Sequence, residues 1–331
     1  MALDPQHELQ GALSGDHISP ITGPSEVALR LQDSEVPIIQ LSQFQLVWRR
    51  FRRHRLAMSG LAMLVLLILV AIFAPVLSPE TFNNGWNLLA GNHPPVFAWP
   101  WQPNWKYILG ADENGHSILM FITYGARVSL AVGLLSALLT MVIGILVGAT
   151  AGYFGGWTDS VVMRITDVFL TLPQLPLLIL LSFYVAGGDW KLIVILFGIL
   201  SWPASARLVR SYYLTFRSQE FTEAARAVGV SDTRIIFRHI LPNSLSPIIV
   251  ATTLAVAGFI VAEAAIDFLG IGIKPPTVSW GLALSTAEDN FANNNWWATV
   301  FPGIMLLLTT LAINFMGDGL RDALDVRSKA E

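Results

Sequence analysis

Glu223-Ala224-Ala225-Arg226-Ala227-Val228-Gly229 is a charged, helix-forming insert between two long apolar runs, and Pro242 follows in Ile240-Leu241-Pro242. A chain that only sits in a membrane has no use for such an insert. One that passes force to a soluble partner does. Phe221, Ala224, Ala225 and Val228 fall at i, i+3, i+4 and i+7, which predicts one apolar stripe on a short helix. Glu223 and Arg226 lie off that stripe. Gly229 is a natural left-handed stop for this helix. Ser231 is a suitable N-cap for a second helix, with Asp232 well placed in its first turn. Pro242 is expected to end or kink that second helix. A solvated loop between two spans, with good caps, fits this local pattern equally well.

The runs on either side set the class. Of 331 residues, 53% are hydrophobic and 13% charged, about half the charge of an ordinary soluble domain. This is the composition of a multi-span membrane protein. Six apolar segments are long enough to cross: Leu56–Leu77, Val128–Ala151, Val161–Ala186, Leu192–Tyr213, Leu245–Ile271 and Ala298–Gly317. The third holds Pro173 and Pro176 and the fourth Pro203, so both are candidates for kinks. The chain has no cysteine, which excludes disulfides, thiol nucleophiles and thiolate metal sites.

Basic residues orient the spans. With the N-terminus in the cytoplasm and six crossings, every Lys and Arg except Lys106, Arg127, Lys191 and Lys274 falls inside. The Glu223 loop is then cytoplasmic, as are both termini. Residues 1–45 are polar, lack a clear period and read as a disordered cytoplasmic tail. The first span starts too far along the chain for an ordinary signal peptide. Residues 46–118 comprise a basic anchor, the first span and an outer loop. The anchor, Trp48-Arg49-Arg50-Phe51-Arg52-Arg53-His54-Arg55, suits contact with anionic lipid rather than nucleic acid. Trp86, Trp99, Trp101 and Trp105 in the outer loop suit either a membrane interface or a docking surface. Residues 119–320 form a five-helix core with the loop 214–243, and 321–331 a cytoplasmic C-terminal tail. Asp318, Arg321, Asp322 and Asp325 are placed to cross-pair at the end of the last helix.

The insert resembles the cytoplasmic signature of permease subunits from binding-protein-dependent ABC importers: Glu-Ala-Ala, three residues, Gly, nine residues, Ile, one residue, Leu-Pro. Glu223, Ala224, Ala225, Gly229, Leu241 and Pro242 match in register, with His239 at the Ile position and Ile240 one place later. The segment from Ile235 to Asn243 is similar to the dipeptide, oligopeptide and nickel branch. Further stretches resemble that branch: Leu109 to Ser117 with departures at Ala111, His116 and Ser117, then Gly125 to Leu130, Ala151 to Trp157, Phe268 to Gly281, and Asn314 to Asp325. The likeness is closest to the second permease of the peptide-type pair, the oligopeptide and dipeptide C-type.

That resemblance implies an all-α membrane protein with six transmembrane helices, the type I importer permease (MetI-like) fold, in a bacterial-type cytoplasmic membrane. It implies a second homologous permease, two ABC ATPase subunits and an extracytoplasmic solute-binding protein. ATP and Mg belong to the ATPases, with no cofactor on this chain. Glu223 would make a polar contact with an ATPase, Ala224 and Ala225 would pack into its cleft, and Gly229 would set the corner. Peptides are the implied substrate, with nickel or another small solute as the alternative. An ATP-independent secondary carrier is a remaining class, but it leaves the Glu223 loop without a task.

Enzyme readings lack support. None of the four lysines follows a glycine, so there is no phosphate loop, and neither His-Glu-x-x-His nor Gly-x-Ser-x-Gly occurs. The six histidines do not pair at metal-ligand spacing. Glu263 and Asp267 lie four apart on the fifth span and so share a face. Buried acids in hydrocarbon are costly and usually face an aqueous path or a partner. They are expected to line the translocation path or its gate, the alternative being a place near the outer end, solvated or paired with Lys274.

Overall fold

The computed structural model describes residues 43–79, 81–83, 91, 93–96 and 107–324. The predicted N-terminal tail, Trp86, Trp99, Trp101, Trp105 and the residues after Leu324 lie outside these. Among the described residues the fold is helical, apart from an isolated bridge between Ala111 and Ser117. Helix α1 (Gln43–Arg53) carries Arg50, Arg52 and Arg53 in its last turn. His54 then caps α2 (Arg55–Ile72), its Nδ1 accepting from the Ala57 amide at 3.1 Å. A short α3 (Ala74–Leu77) completes the first crossing.

Helix α4 (Ile118–Phe154) runs for 37 residues. At 1.5 Å per residue it is roughly 55 Å long, well beyond the ~30 Å of hydrocarbon. The span expected at Val128–Ala151 is therefore only its later part, most of the excess preceding Val128. The third crossing is broken. Helix α5 (Gly156–Thr171) and α6 (Gln174–Leu181), which continues through a π-helical turn (Ser182–Ala186), meet at 78°. Leu172 precedes Pro173 and is extended (φ −74°, ψ 133°). The proline ring bars the residue before it from the helical region, so the break falls there. Pro176 sits in the first turn of α6, where a missing N–H costs nothing. By contrast, α7 (Trp190–Arg217) runs through Pro203 as one helix.

Beyond α7 come α8 (Glu220–Ala227) and α9 (Asp232–Arg234). A π-helical turn (Ile235–Ile240) joins α9 to α10 (Leu241–Phe268). Pro242 was expected to end or kink the second short helix, yet residues 232–268 form one span. The wider turn before Pro242 accommodates its ring, and side chains take up the carbonyls the turn frees. Asn243 donates to the His239 carbonyl at 2.6 Å and Ser244 to that of Ile240 at 3.2 Å. Two short helices, α11 (Trp280–Leu284) and α12 (Ala287–Ala292), precede α13 (Trp297–Leu324). Among the described residues, five single helices are long and apolar enough to cross a membrane, six crossings when the bent pair counts as one span.

Small residues bring the spans together, since lipid offers apolar side chains no reason to leave it. Gly144, Gly148 and Gly152 repeat at every fourth position of α4 and face α7. A Cβ on Gly144 would lie 2.5 Å from the Ser205 Cβ, one on Gly152 2.6 Å from the Tyr213 Cβ, and one on Gly148 against the Ala206 carbonyl. Gly60 and Gly319 seat α2 against α13 in the same way, through Ala312 and Ala57. Asp322 was expected to pair within its own helix. Its carboxylate instead stands 3.6 Å from His54 Nε2, because the α2–α13 contact brings that ring closer.

Gly148→Leu should separate α4 from α7 and lower the melting temperature of the detergent-solubilised chain, by an amount equivalent to about 3 kcal/mol or more. Gly303→Ala, which meets open space, should leave it unchanged or raise it slightly. Equal melting of the two variants would contradict the packing described.

Candidate functional site

Helix α8 ends in a Schellman motif. The Gly229 amide bonds the Arg226 carbonyl and the Val230 amide bonds the Ala225 carbonyl, each at 3.1 Å. Gly229 has φ +80°, as the expected left-handed stop requires. Ser231 is the N-cap of α9 by backbone geometry, though its side chain makes no capping bond. The corner between α8 and α9 is thus built from two backbone bonds and one glycine.

The face that α8 turns inward differs from the predicted stripe. Thr222 and Ala225 are buried, whereas Phe221 and Val228 are 38% and 79% exposed. Thr222 Oγ1 donates to the Phe216 carbonyl at 2.8 Å, tying α8 to the end of α7. That polar bond rotates the helix away from its most apolar face. Ala225 packs within the chain, in a cluster with Tyr153, Tyr213, Ile235 and Ile236, so it cannot also fill a partner's cleft. Glu223 and Ala224 remain exposed. Leu241 is partly buried against the same cluster and Pro242 is exposed.

Two tyrosines, neither singled out in the sequence, hold this corner. Tyr153 in α4 donates its hydroxyl to Asp232 Oδ1 at 2.5 Å, and the Arg226 guanidinium carbon lies 5.6 Å from its ring centre. Tyr213 in α7 donates to the Ile236 carbonyl at 3.1 Å, and its own Cβ packs closely against Gly152. Below them, Arg210 forms a bidentate pair with Asp159, and Arg207 meets Asp167 at 2.5 Å. The loop 214–243 is therefore fastened to α4 and α7 separately. The only sequence signal for Tyr153 was its place in the stretch Ala151 to Trp157, which reads as a span edge.

Glu263 and Asp267 lie at the opposite end, both essentially inaccessible to solvent. They sit among polar neighbours rather than on an open wall. Asp267 accepts from the Ile273 amide at 2.7 Å and from the Ser279 hydroxyl. Glu263 Oε2 accepts from Ser129 at 3.2 Å, while Ser129 Oγ also accepts from the Trp280 amide. The Trp280 indole donates to the Ile122 carbonyl at 3.1 Å. One network thus joins α4, α10 and the turn leading to α11. Among the described residues, no ion pair links either acid to Lys274.

The description "binding-protein-dependent transport system inner membrane component" matches residues 141–329. The chain belongs to that family. Residues 42–95 also match the N-terminal transmembrane domain of oligopeptide transport permease C. The dipeptide transport system permease protein DppC of Bacillus subtilis is 39% identical over 86% of each chain. The di/tripeptide permease DppC of Pseudomonas aeruginosa is 36% identical over 89% of this chain and 96% of its own. A chain in a structure of the MetNI methionine ABC transporter in inward-facing conformations is 20% identical over 60% of this chain and 94% of its own, at a TM-score of 0.48. The protein is accordingly a multi-pass permease subunit of an ABC importer, in a family whose ATPase is a separate subunit.

Asp267→Ala removes the acceptor for the Ile273 amide and Ser279 hydroxyl, both buried. It should cost about 1–3 kcal/mol and speed maleimide labelling of a cysteine placed at buried Val278 in this cysteine-free chain. Unchanged melting and labelling would show that the turn is held by other contacts.

Proposed function

We propose that the chain is the second permease of an importer for di- or oligopeptides, and that α8 is the element its ATPases push. Exposure of Glu223 and Ala224 on a helix whose end is fixed by backbone bonds carries this reading. An acid on a rigid, outward-facing helix can hold a polar contact with a soluble subunit while Ala224 permits close approach. Leu241 and Pro242 belong to the same coupling segment, where the helix turns into its span. Ala225 and Gly229 serve it from behind, one by packing and the other by setting the corner.

The assembly comprises this chain, one related permease, two ATPases and an external solute-binding protein. ATP and Mg²⁺ bind on the ATPases, and this chain carries no cofactor. The α8 end and both termini face the cytoplasm of a bacterial-type cell, where the arginines of α1 meet anionic lipid. Peptide transport is supported by the names of the relatives, among them the dipeptide and di/tripeptide permeases. Closure of the ATPases displaces α8 and, through α10, shifts the spans between two access states. Glu263 and Asp267 form part of the gate by holding the turn before α11 against α4.

Gly229→Val forbids the left-handed corner, since a β-branched residue at φ > 0 is a strong outlier. Its Cβ would meet nothing within 4 Å, so any defect arises from backbone conformation. In affinity purification from native membranes, this variant should stay in the membrane but lose most of the ATPase recovered with wild type. Gly229→Asn, which tolerates that conformation, should retain it. Wild-type ATPase recovery and coupling in Gly229→Val would refute the assignment.

A further inference from the structure

We propose that Tyr153 is the joint through which the α8–α9 corner moves α4, making it a positioning residue for coupling. This rests on α8 being the ATPase contact.

The geometry gathers three grips on one residue of α4. Its hydroxyl is held by Asp232 of α9 at 2.5 Å, a charge-assisted bond about twice as strong as a neutral one. Its ring lies beside the guanidinium of Arg226 of α8. Its carbonyl accepts from Arg217 Nη1 of α7 at 3.1 Å. Tyr153 itself is buried. Arg226 and Asp232 flank Gly229, so both sides of the corner hold the same side chain. A displacement of α8 therefore reaches Tyr153 directly as well as travelling along the chain into α10.

The position along α4 makes such a grip useful. Tyr153 is one residue beyond Gly152, the last glycine of the stripe that locks α4 to α7. Two residues further on, Gly155 and Gly156 both take positive φ, and the chain turns sharply into α5. Force applied at Tyr153 acts at the end of a helix that is clamped to α7 along the glycine stripe and through Arg217. The Arg210–Asp159 pair then binds α5 to α7, so the three helices respond together. Tyr213 supplies a second tie, to the carbonyl of Ile236 just past α9, but that bond reaches backbone rather than a side chain flanking Gly229.

The test uses the full transporter, reconstituted with its ATPases and binding protein. Thr150 and Val228, both exposed, are replaced by cysteine in this cysteine-free chain and spin-labelled. In the parent protein the distance between them should remain a single narrow distribution in nucleotide-free and ATP-vanadate-trapped states. Tyr153→Phe keeps the ring and its place beside Arg226 but removes the hydroxyl. It should broaden or split that distribution in the trapped state. Uptake of labelled dialanine per ATP hydrolysed should fall about tenfold, as expected for losing a hydrogen bond to a charged group. Asp232→Asn retains an acceptor oxygen and should recover part of the coupling.

A shift in the parent protein of about one helical turn, 5 Å or more, would overturn the proposal. So would a Tyr153→Phe distribution as narrow as the parent's. If ATPases are absent from the parent complex, or persist normally in Gly229→Val, the coupling reading fails instead. If Tyr153→Phe does not assemble, the parent distance and the Asp232→Asn distribution still decide the matter, since a rigid joint requires the first to hold still and the second to broaden only slightly.

Discussion

The close contact between α4 and α7 is the constraint on which the rest of this fold depends. Hydrocarbon gives two apolar helices little reason to leave lipid for each other, so their attraction must come from packing. Gly144, Gly148 and Gly152 let the backbones approach until the Ser205, Ala206 and Tyr213 positions fill the space that side chains would occupy. The other helices use this pair as a base. α10 packs on it near Gly133, whose missing side chain makes room for Ile260. The Thr222 bond and the two tyrosines fasten the α8–α9 corner to its projecting ends.

Rigidity at one end and a polar network at the other divide the work. At the α8 end, backbone bonds and charge-assisted side-chain bonds leave little room for independent movement. At the opposite end, Glu263, Asp267, Ser129 and Ser279 add hydrogen bonds between three elements to close contacts of Gly125 with Trp280 and of Gly281 with Ala264. Such bonds break one at a time and can be exchanged for water, whereas a glycine contact between backbones has no substitute. The two ends thus share glycine packing and differ in their polar groups: charge-assisted side-chain bonds at α8, a buried network of acids and hydroxyls at the other.

Much of this was legible in the sequence because it rests on local rules. Apolar run length marked six segments, five of which are single helices and the third the bent pair, and Gly229 announced its corner because only a residue without a Cβ takes φ +80° freely. The 78° break was less visible. Pro173 signalled a disturbance, but its size depends on how the following helix packs. Pro242 misled for a related reason: the π-helical turn before it absorbs the ring, and Asn243 and Ser244 take up the carbonyls that the turn frees. The inward face of α8 was also misjudged. Hydrophobic spacing favoured Phe221 and Val228, while a single bond from Thr222 to the end of α7 outweighed them.

The role of Tyr153 was hidden because its partners are distant in the chain. Asp232 is 79 residues away, and no periodicity links the two. What the sequence does contain is the means for the contact, namely a helix far longer than the bilayer. Helices α4 and α9–α10 each occupy 37 residues. The second run begins at Asp232, ahead of the span expected from Leu245, so its excess includes α9, one side of the corner, whereas α4 carries most of its excess before Val128 and ends just past Ala151, beside Tyr153. Length in α9–α10 that looks redundant for crossing a membrane thus brings Asp232 to the end of α4. A chain needing only to form a pore would gain nothing from it, whereas one that takes mechanical work from outside the bilayer needs its spans to extend to the point where that work is delivered.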